Sequence, residues 1–377
     1  MREGWEYKKL GQVCTSDLGK TLNKSKDRGE LHPYLCSINI LWDKIDLSTL
    51  KQACFEADEQ EKYTVRKGDL LVCEGGDTGR SAIWDRDETI LYQNALHRLR
   101  FHESVSPKFV LFYLMYLKDI GEIDNKYSKG VTIKHLVKKA LLSIPLPIPP
   151  KPTQFSIVSE LDKLNELIRI KKEQLKDYDT LAQSIFYEMF GDPVENEKGW
   201  EVKQLKDVST LLNGRAYKQH ELLDKGKYKV LRVGNFFTNS TFYYSDLELD
   251  DDKYSEYGDL LFAWSASFGA FIWNGDKVIY HYHIWKVLFD KDCLDIQYYR
   301  YLLNTMTSFF MNDVHGIGMV HLTKSGMEQY NLPIPPLPLQ HSFAQKIEQI
   351  EQQKAAIQKT ITDLETLLAA RMQYWFD

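Results

Sequence analysis

The sequence has few cysteines, and their placement excludes two kinds of stabilising chemistry. Five cysteines occur among 377 residues, at Cys14, Cys36, Cys54, Cys73 and Cys293. They are odd in number and widely separated, and no two of them have the C-x-x-C spacing of zinc sites and redox pairs. We therefore predict neither a disulfide framework nor a zinc site, and we expect most of these cysteines to be small buried apolar residues.

Long apolar runs are also absent. No stretch reaches the roughly eighteen uninterrupted apolar residues that cross a bilayer, and the start of the chain, Met-Arg-Glu-Gly-Trp-Glu, has no apolar core of a signal peptide. We therefore expect a cytoplasmic protein. The content of 43% hydrophobic and 13% aromatic residues is sufficient for more than one globular core.

The chain lacks an excess of positive charge. Its formal net charge is −5 at pH 7, which is not typical of a protein that binds nucleic acid by itself through an overall basic surface. Any contact with nucleic acid must come from local clusters of basic residues, or be shared with a partner.

Complete catalytic motifs are missing as well. Gly19-Lys20-Thr21 resembles the end of a P-loop, but Cys14 stands where the first glycine of the phosphate cradle is required. The chain has neither the Asn-Pro-Pro-aromatic motif of an amino-methyltransferase nor a Gly-x-Gly element between a strand and a helix. Four histidines, His281, His283, His315 and His321, have no carboxylate at ligand spacing, so we interpret them as core or surface residues.

Two Glu-x-Lys fragments match part of the motif of metal-dependent nucleases. They are Glu6-Tyr7-Lys8 and Glu201-Val202-Lys203, and both lie in short segments where polar and apolar residues alternate. The solvated face of a strand explains these charges. We therefore interpret them as surface residues and keep a nuclease as an alternative hypothesis.

Two long segments keep a seven-residue apolar period, with Lys171 and Lys354 as polar interruptions. The positions expected to pair are Leu161, Leu164, Ile168, Leu175, Tyr178, Ile185 and Met189 in the first segment, and Ile347, Ile350, Ile357, Ile361, Leu364 and Leu368 in the second. A sustained heptad is typical of a coiled coil. We predict two long helices that pair with each other.

The two halves of the chain share short sequence matches in the same order. The matches are residues 5–10 with 200–205, 19–20 with 214–215, 68–71 with 258–261, His97 with His283, 135–136 with 321–322, and 146–150 with 332–336. Six matches in one order are not expected by chance, so they indicate a tandem duplication.

The duplication defines the predicted fold, which is α/β and, more narrowly, α+β. We predict a first domain over residues 1–150, a helix over 151–192, a second domain over 193–336 and a second helix over 337–377. Each domain should be mixed α/β, and the two helices should pair as an antiparallel coiled coil about a pseudo-two-fold axis. The proline-rich segments 146–152 and 332–338 are expected to be stiff extended connectors.

Polar, basic and aromatic loop residues at equivalent places in the two domains are the candidates for contact with DNA. Lysine and arginine can neutralise phosphates, whereas arginine, lysine, asparagine, glutamine and serine can also read base edges. The candidates are Lys20, Asn23, Lys24, Arg80, Lys134 and His135 in the first domain, and Arg215, Tyr217, Lys218, Arg232, Asn235, Ser265, Ser267, His321 and Lys324 in the second. Lys20 and Arg215 follow equivalent glycines, so we expect both to lie on the side of their domain that faces DNA.

The order of these features resembles the specificity subunits of type I restriction-modification systems, over essentially the whole chain. The resemblance is carried by Trp-Glu-x-Lys-x-Leu at each domain start, by Gly-Asp-Leu-Leu, and by Leu-Pro-Ile-Pro-Pro followed by Gln154 or Gln340 at each helix entry. The sequence departs from the family's Pro-Pro-Leu-x-Glu-Gln pattern, because Thr153 and Leu339 stand in place of the glutamate.

The resemblance implies that each domain is a target-recognition domain reading one half of a bipartite site in double-stranded DNA. It also implies helices that set the spacing and dock two methyltransferase subunits, through which restriction/translocase subunits join. S-adenosylmethionine, ATP and magnesium would then belong to the partners, and this chain would be non-catalytic and bind no metal. The alternatives from other classes are a nuclease with a composite site and a coiled-coil adaptor without a DNA role.

Overall fold

A computed structural model describes residues 4–23, 27–130, 134–237, 241–265, 267–312 and 322–377. The chain divides into two compact units, Met1–Lys172 with Lys359–Asp377, and Glu173–Gln358. Each unit therefore contains one domain together with a segment of each long helix. Within the described ranges, no helix is both long and apolar enough to cross a membrane.

The first domain combines short helices with two four-stranded sheets. Its strands are β1 (Glu6–Lys9), β2 (Cys14–Leu18), β3 (Glu30–Leu35), β4 (Ile40–Leu41), β5 (Lys44–Ile45), β6 (Lys51–Phe55), β7 (Thr64–Val65), β8 (Leu70–Cys73), β9 (Ser81–Ile83), β10 (Ile90–Tyr92), β11 (Leu96–Phe101) and β12 (Pro145–Ile148). Its helices are α1 (Ala57–Lys62), α2 (Pro107–Asp119) and α3 (Lys138–Leu142), with 3₁₀ turns at Leu10–Gln12 and Ser37–Asn39 and a π-helical turn at Ile123–Tyr127.

The two sheets of the first domain have the strand orders β6-β3-β10-β7 and β2-β11-β8-β9. Neighbouring strands are antiparallel except β3 and β10, which run parallel. Strand β8 reads Leu-Leu-Val-Cys and is buried along its whole length, as expected for a short apolar run covered on both faces. This buried strand explains why the Gly-Asp-Leu-Leu motif lies at the centre of the domain.

The second domain repeats this architecture. After the first long helix, α4 (Lys151–Phe190), its elements are β13 (Glu201–Gln204), α5 (Leu205–Val208), β14 (Ser209–Asn213), β15 (Tyr228–Leu231), α6 (Val233–Phe237), β16 (Tyr243–Ser245), β17 (Tyr254–Ser255), β18 (Leu260–Ser265), β19 (Ser267–Ile272), β20 (Val278–Tyr280), β21 (Ile284–Phe289), α7 (Ile296–Thr305), α8 (Thr307–Asn312), α9 (Lys324–Met327), β22 (Asn331–Ile334) and the second long helix, α10 (Leu337–Phe376). Its sheets have the orders β14-β21-β18-β19 and β16-β15-β20-β17, again with one parallel pair, β15 and β20. The fold is therefore two similar mixed α/β domains with two long helices.

Two of the repeated motifs pair with each other in space. Strand β1, from the Trp-Glu-x-Lys motif, is antiparallel to β12, from the Leu-Pro-Ile-Pro-Pro motif, and β13 pairs with β22 in the same way. The proline segments are extended, as predicted. They also form strands, so they do not serve only as connectors. Each of these sheets has two strands, so every strand is an edge and tolerates the missing N–H of proline.

The Gly-Asp-Leu-Leu motif is a turn that enters the buried strand. Gly68 and Gly258 both have φ of +90°, a conformation that L side chains rarely adopt. The carboxylates of Asp69 and Asp259 each accept a hydrogen bond from the backbone N–H three residues earlier, at 2.8 and 2.7 Å. In both domains the glycine therefore allows the backbone conformation of the turn, and the aspartate stabilises the turn through its hydrogen bond.

One predicted match between the halves is wrong. In the structure His97 lies opposite Leu18 of β2, and the residue at the same place in the second domain is Trp285, opposite Asn213. His283 instead corresponds to Ala95. The two histidines therefore match in sequence only, because the segment that joins β8 to β11 differs in length from the segment that joins β18 to β21.

Each long helix is anchored at its start by a buried glutamine. The Gln154 carboxamide accepts from the Ser106 N–H at 2.9 Å and donates to the carbonyls of Ser104 and Pro149 at 3.1 and 2.9 Å. Gln340 makes the same three contacts, with the Asp295 N–H, Cys293 carbonyl and Pro335 carbonyl at 2.8, 2.9 and 2.8 Å. The glutamine of the family motif therefore ties the helix to its domain.

Segments of α4 and α10 run antiparallel within each unit. In the first unit Glu160 forms an ion pair with Arg371, and Lys172 lies 2.7 Å from Glu365. In the second unit, the polar position Lys354 lies 2.7 Å from Asp179. Leu161, Ile168, Ile347, Ile350, Ile361 and Leu368 are buried, and the half-buried heptad residues are Leu164, Leu175, Tyr178, Ile185, Met189, Ile357 and Leu364.

The C-terminal end of each long helix packs on the aromatic helix of a domain. Phe376 contacts the rings of Phe109, Tyr113 and Tyr116 on α2, with centroid distances of 5.5, 5.4 and 5.7 Å. In the second unit, the corresponding residue of α4, Phe190, lies 4.6 Å from Tyr298 on α7. Each helix thus starts on the domain of one unit and ends on the domain of the other.

Candidate nucleic-acid interface

Strand topology gathers the candidate loops of the first domain at one end of its central sheet. Strands β2 and β8 end where β11 and β9 begin, because each neighbouring pair is antiparallel. The segments 19–23, 74–80 and 93–95 therefore lie together, and an isolated bridge between Gly75 and His135 adds the chain around residue 135. We call these segments the loop end of the first domain.

The loop end of the second domain is formed by residues 214–218, 232–235 and 281–283 and by the β18–β19 hairpin. Strand β15 is parallel to β20, so residues that follow both strands meet here, and the His281 N–H donates to the Leu231 carbonyl at 2.9 Å. Arg215 forms a bridge with His281, as Lys20 does with Gln93 in the first domain.

The two loop ends share one backbone framework. In the first domain the Lys20 N–H donates to the Tyr92 carbonyl and the Asn94 N–H to the Lys20 carbonyl, at 3.1 and 3.0 Å. In the second, the N–H groups of Arg215 and Tyr282 make the equivalent bonds to the carbonyls of Tyr280 and Arg215, both at 3.0 Å. We call residues 93–95 the β10–β11 segment and residues 281–283 the β20–β21 segment.

The repeated glycines allow this close approach of two chains. A Cβ atom on Gly19 would lie 2.3 Å from the carbonyl oxygen of Gln93, and one on Gly214 would lie 2.4 Å from that of His281. Both distances are far below van der Waals contact. The glycines therefore position the loop against the β10–β11 and β20–β21 segments.

Lys20 lies at the loop end, but its ammonium group contacts residues within the domain. Its Nζ atom is buried and lies 2.6 Å from the Glu59 carboxylate, 3.5 Å from Asp27 and 2.7 Å from the Cys54 carbonyl oxygen. Burial alone would lower the pKa of Lys20, but the hydrogen bond to Glu59 and the charges of Asp27 and Glu59 raise it. This geometry gives Lys20 a role in holding the loop, and its contact with DNA stays a prediction.

Arg215 is held in the same manner. Its guanidinium makes two hydrogen bonds to the Glu221 carboxylate, at 2.9 and 2.8 Å, and lies over the Tyr217 ring. The hydrogen bond from Arg215 lowers the pKa of Glu221 to about 2. The sequence thus identified an equivalent cation in each domain, whereas the acidic partner of each is visible only in the structure.

The remaining candidates of the first domain also lie at or beside its loop end. Arg80 is half-buried and donates to the Ser37 carbonyl at 2.9 Å, and Lys134 donates to the Asp124 carbonyl at 3.0 Å. Asn23 and His135 are exposed. Lys24 lies outside the described residues.

In the second domain Lys218 and Arg232 are exposed, and the Arg232 guanidinium lies 5.4 Å from the centroid of the Tyr243 ring. Asn235 is structural in part, because its side chain accepts from the Arg232 N–H at 2.8 Å and donates to the Thr241 carbonyl at 2.9 Å. Tyr217 is half-buried.

Ser265 and Ser267 face each other across the β18–β19 hairpin, and only Ser267 is accessible. Lys324 begins α9 and lies 3.7 Å from Glu328. The N–H of the neighbouring Leu322 bonds to the Trp264 carbonyl at 3.4 Å, which places this segment beside the hairpin. His321 lies outside the described residues.

No motif in the sequence marks the two segments around which these loops gather. The β20–β21 segment carries His281, Tyr282 and His283, and the Trp264 ring lies 5.9 Å from Tyr282 and 5.1 Å from His283. Burial of the imidazole, together with the neighbouring His283 and Arg232, lowers the pKa of His281 to about 4. His281 and His283, interpreted above as ordinary core or surface histidines, therefore lie within the candidate interface.

The Glu-x-Lys fragments lie on exposed strands away from these loops. Lys8 is 2.6 Å from Glu6, and Lys203 is 3.7 Å from Glu201, so the charges of each fragment pair with each other. Across the described ranges, no cluster of three histidine, cysteine, aspartate or glutamate residues could hold a metal ion.

A tandem pair of mixed α/β domains with paired long helices and matching loop ends defines a two-domain recognition protein. The sequence model of the type I restriction modification DNA specificity domain matches the chain twice, over residues 2–177 and 197–366. The chain belongs to this family.

Named relatives match along most of the chain. The specificity subunit of type I restriction enzyme MjaVIII from Methanocaldococcus jannaschii is 22% identical over 382 aligned positions, which cover 93% of this chain and 86% of the relative. The MjaIX specificity subunit of the same organism is 25% identical over 283 positions, covering 68% of this chain and 65% of the relative. The similarity therefore extends over both domains.

Solved structures show the same fold. A chain from a study of complex assembly and conformational transition of the type I R-M system superposes with a TM-score of 0.62 at 18% identity, covering 100% of this chain and 98% of the other. The S subunit of a type I restriction-modification system from M. genitalium gives a TM-score of 0.54 at 14% identity, covering 99% and 96%.

Proposed function

We propose that this chain is the specificity subunit of a type I restriction-modification complex. Each domain reads one half of a bipartite site in double-stranded DNA, and the long helices set the distance between the halves. The observation that carries the proposal is the pair of loop ends, which have one backbone framework and different side chains. A protein that reads two different half-sites with a duplicated domain requires that combination.

The loop residues fall into groups according to the contacts that their side chains can make. Lys218 and Arg232 are exposed at the loop end and are suited to phosphate contacts, which fix register without carrying sequence information. Lys20 and Arg215 hold the loops through Glu59 and Glu221. Base reading is then left to other side chains of each loop end.

The partners supply what this chain lacks. We propose that two methyltransferase subunits dock on the long helices and that restriction/translocase subunits join through them in the cytoplasm. S-adenosylmethionine, ATP and magnesium are then bound by those subunits, and this chain is non-catalytic. The net charge of −5 agrees with such sharing, because the partners also neutralise phosphates.

A binding and cleavage assay tests this function against the nuclease hypothesis. The full chain, alone and assembled with the methyltransferase encoded beside it, is mixed with duplex DNA and with a divalent metal. The proposal predicts that the assembled complex binds one bipartite sequence and that the isolated chain cleaves nothing. Metal-dependent cleavage by the isolated chain would select the nuclease, and absence of DNA binding by the complex would select the adaptor.

A further inference from the structure

The β10–β11 and β20–β21 segments differ in chemistry although their backbones are held identically. In the first domain the segment reads Gln93-Asn94-Ala95, and in the second it reads His281-Tyr282-His283. The tyrosine before each segment and the glycine packed against it are the same in both domains. The surroundings are thus preserved within the repeat, while the side chains that the segment presents have changed.

The backbone of the β10–β11 segment is fixed at several points. The Gln93 N–H donates to the Leu35 carbonyl at 3.0 Å, the Leu96 N–H donates to the Gln93 carbonyl at 3.1 Å, and the Ala95 carbonyl accepts from the Glu74 N–H at 2.9 Å. These bonds connect the segment to both sheets of the domain. A side chain mounted on such a rigid backbone loses little further entropy when it binds a ligand.

The carboxamides of this segment are available to a ligand. Asn94 and Gln93 are both half-buried, and Asn94 donates from Nδ2 to the Thr21 hydroxyl at 3.2 Å. Within the part of the chain that the structure describes, the Gln93 carboxamide has no hydrogen-bond partner. A carboxamide offers one donor beside one acceptor, which matches N7 and the N6 amino group of adenine in the major groove.

We propose that the β10–β11 segment is the base-reading element of the first domain and that the Gln93 carboxamide recognises an adenine in the first half-site. This inference rests on the proposed function and names the residue through which it acts. The β20–β21 segment carries no carboxamide, so the second domain has no equivalent of this contact. One framework with two side-chain sets explains how a duplicated domain reads two unlike half-sites.

Selection from a randomised duplex library tests the proposal with the full chain assembled with its methyltransferase subunits. We compare the wild-type complex with Gln93→Ala, with the isosteric Gln93→Glu, and with Gln52→Ala as the control, because Gln52 is an exposed carboxamide on strand β6. For Gln93→Ala we expect the preference for adenine at one position of one half-site to fall about 5- to 150-fold, the equivalent of the ~1–3 kcal/mol of a bidentate base contact. Gln93→Glu should shift that position towards cytosine, because its N4 amino group donates a hydrogen bond to a carboxylate.

The second half-site is an internal standard and should be unchanged in every variant. If wild type selects a bipartite site and both Gln93 variants keep its base preferences, the assignment of Gln93 is wrong while the proposed function stands. If affinity falls equally for all sequences, Gln93 contacts the backbone of DNA and the inference is likewise overturned. A wild-type complex that selects no sequence would overturn the proposed function together with the inference.

Discussion

Gln154 and Gln340 show how one buried carboxamide fixes the junction between a domain and its long helix. Each forms hydrogen bonds with three backbone groups at the proline-rich helix entry. An unpaired buried polar group costs roughly 1–3 kcal/mol, which exceeds the net gain from a typical hydrogen bond. This chain therefore has the glutamine at both helix entries, although Thr153 and Leu339 stand in place of the glutamate.

We predict that Gln340→Ala lowers the free energy of unfolding by about 2–4 kcal/mol, because it leaves the Asp295 N–H and the carbonyls of Cys293 and Pro335 unpaired. The matched control is Gln345→Ala, an exposed glutamine on the same helix, which should change stability by no more than about 0.5 kcal/mol. Urea denaturation of the full chain measures both. Equal effects of the two substitutions would show that the buried contacts do not anchor the helix.

His281 gives a second prediction at this scale, for the dependence of stability on pH. Its pKa falls from the ordinary 6.5 to about 4 in the folded protein, so between these values the unfolded chain binds a proton that the folded chain does not. Stability contributed by the neutral imidazole is complete above pH 6.5 and is lost as pH falls towards 4. Relative to His281→Asn, the wild-type chain should therefore lose stability on acidification through this window. A stability difference between the two proteins that does not vary with pH would contradict it.

Residue-level function was only partly predictable from the sequence. The equivalent glycines led to Lys20 and Arg215, but the acids that hold them, Glu59 and Glu221, have no fixed spacing in the two halves. Contacts between residues distant in sequence depend on sheet topology, and a single sequence does not reveal it. The β10–β11 and β20–β21 segments were missed for the same reason, since their short loops carry no motif.

At the scale of elements, the heptads indicated two long helices, predicted over residues 151–192 and 337–377 and observed at Lys151–Phe190 and Leu337–Phe376. The pattern is readable because a single face stays buried over many turns. The same pattern did not predict the burial of Phe186, Phe190 and Met372. Phe186 and Phe190 leave the heptad where α4 reaches the second domain, because both rings pack on Tyr298 of α7 as well as on Phe343 of α10.

A pair of leucines on α4 tests whether the heptad face stabilises its unit. Leu161 is fully buried, whereas Leu167 is 45% exposed. We predict that Leu161→Ala costs about 2–5 kcal/mol of unfolding free energy, because it removes buried methyl groups and leaves a cavity. Leu167→Ala, the control with the same chemical change, should cost no more than about 0.5 kcal/mol. Equal losses in thermal or urea denaturation would argue against helix pairing as the source of stability.

At the scale of the whole molecule, the length of the helices should determine the spacing of the target. Inserting one heptad into each of α4 and α10 keeps the apolar face in phase and lengthens each helix by about 10 Å, roughly three base pairs of duplex. We predict that the unspecified spacer of the target lengthens accordingly while both half-sites keep their bases. A control insertion of two residues turns the apolar face by about 200° away from its partner and should reduce stability instead. An unchanged spacer in the heptad variant would mean that the helices do not set it.

The central claim is that this chain selects the DNA sequence on which its partners act, and genome-wide mapping of methylated positions tests it most directly. Host cells are compared with and without the chain while the methyltransferase remains present. We predict methylation of one bipartite sequence, two short half-sites separated by a spacer of fixed length, which disappears when the chain is removed. Methylation that persists unchanged without the chain, or that follows a single continuous site, would contradict the account.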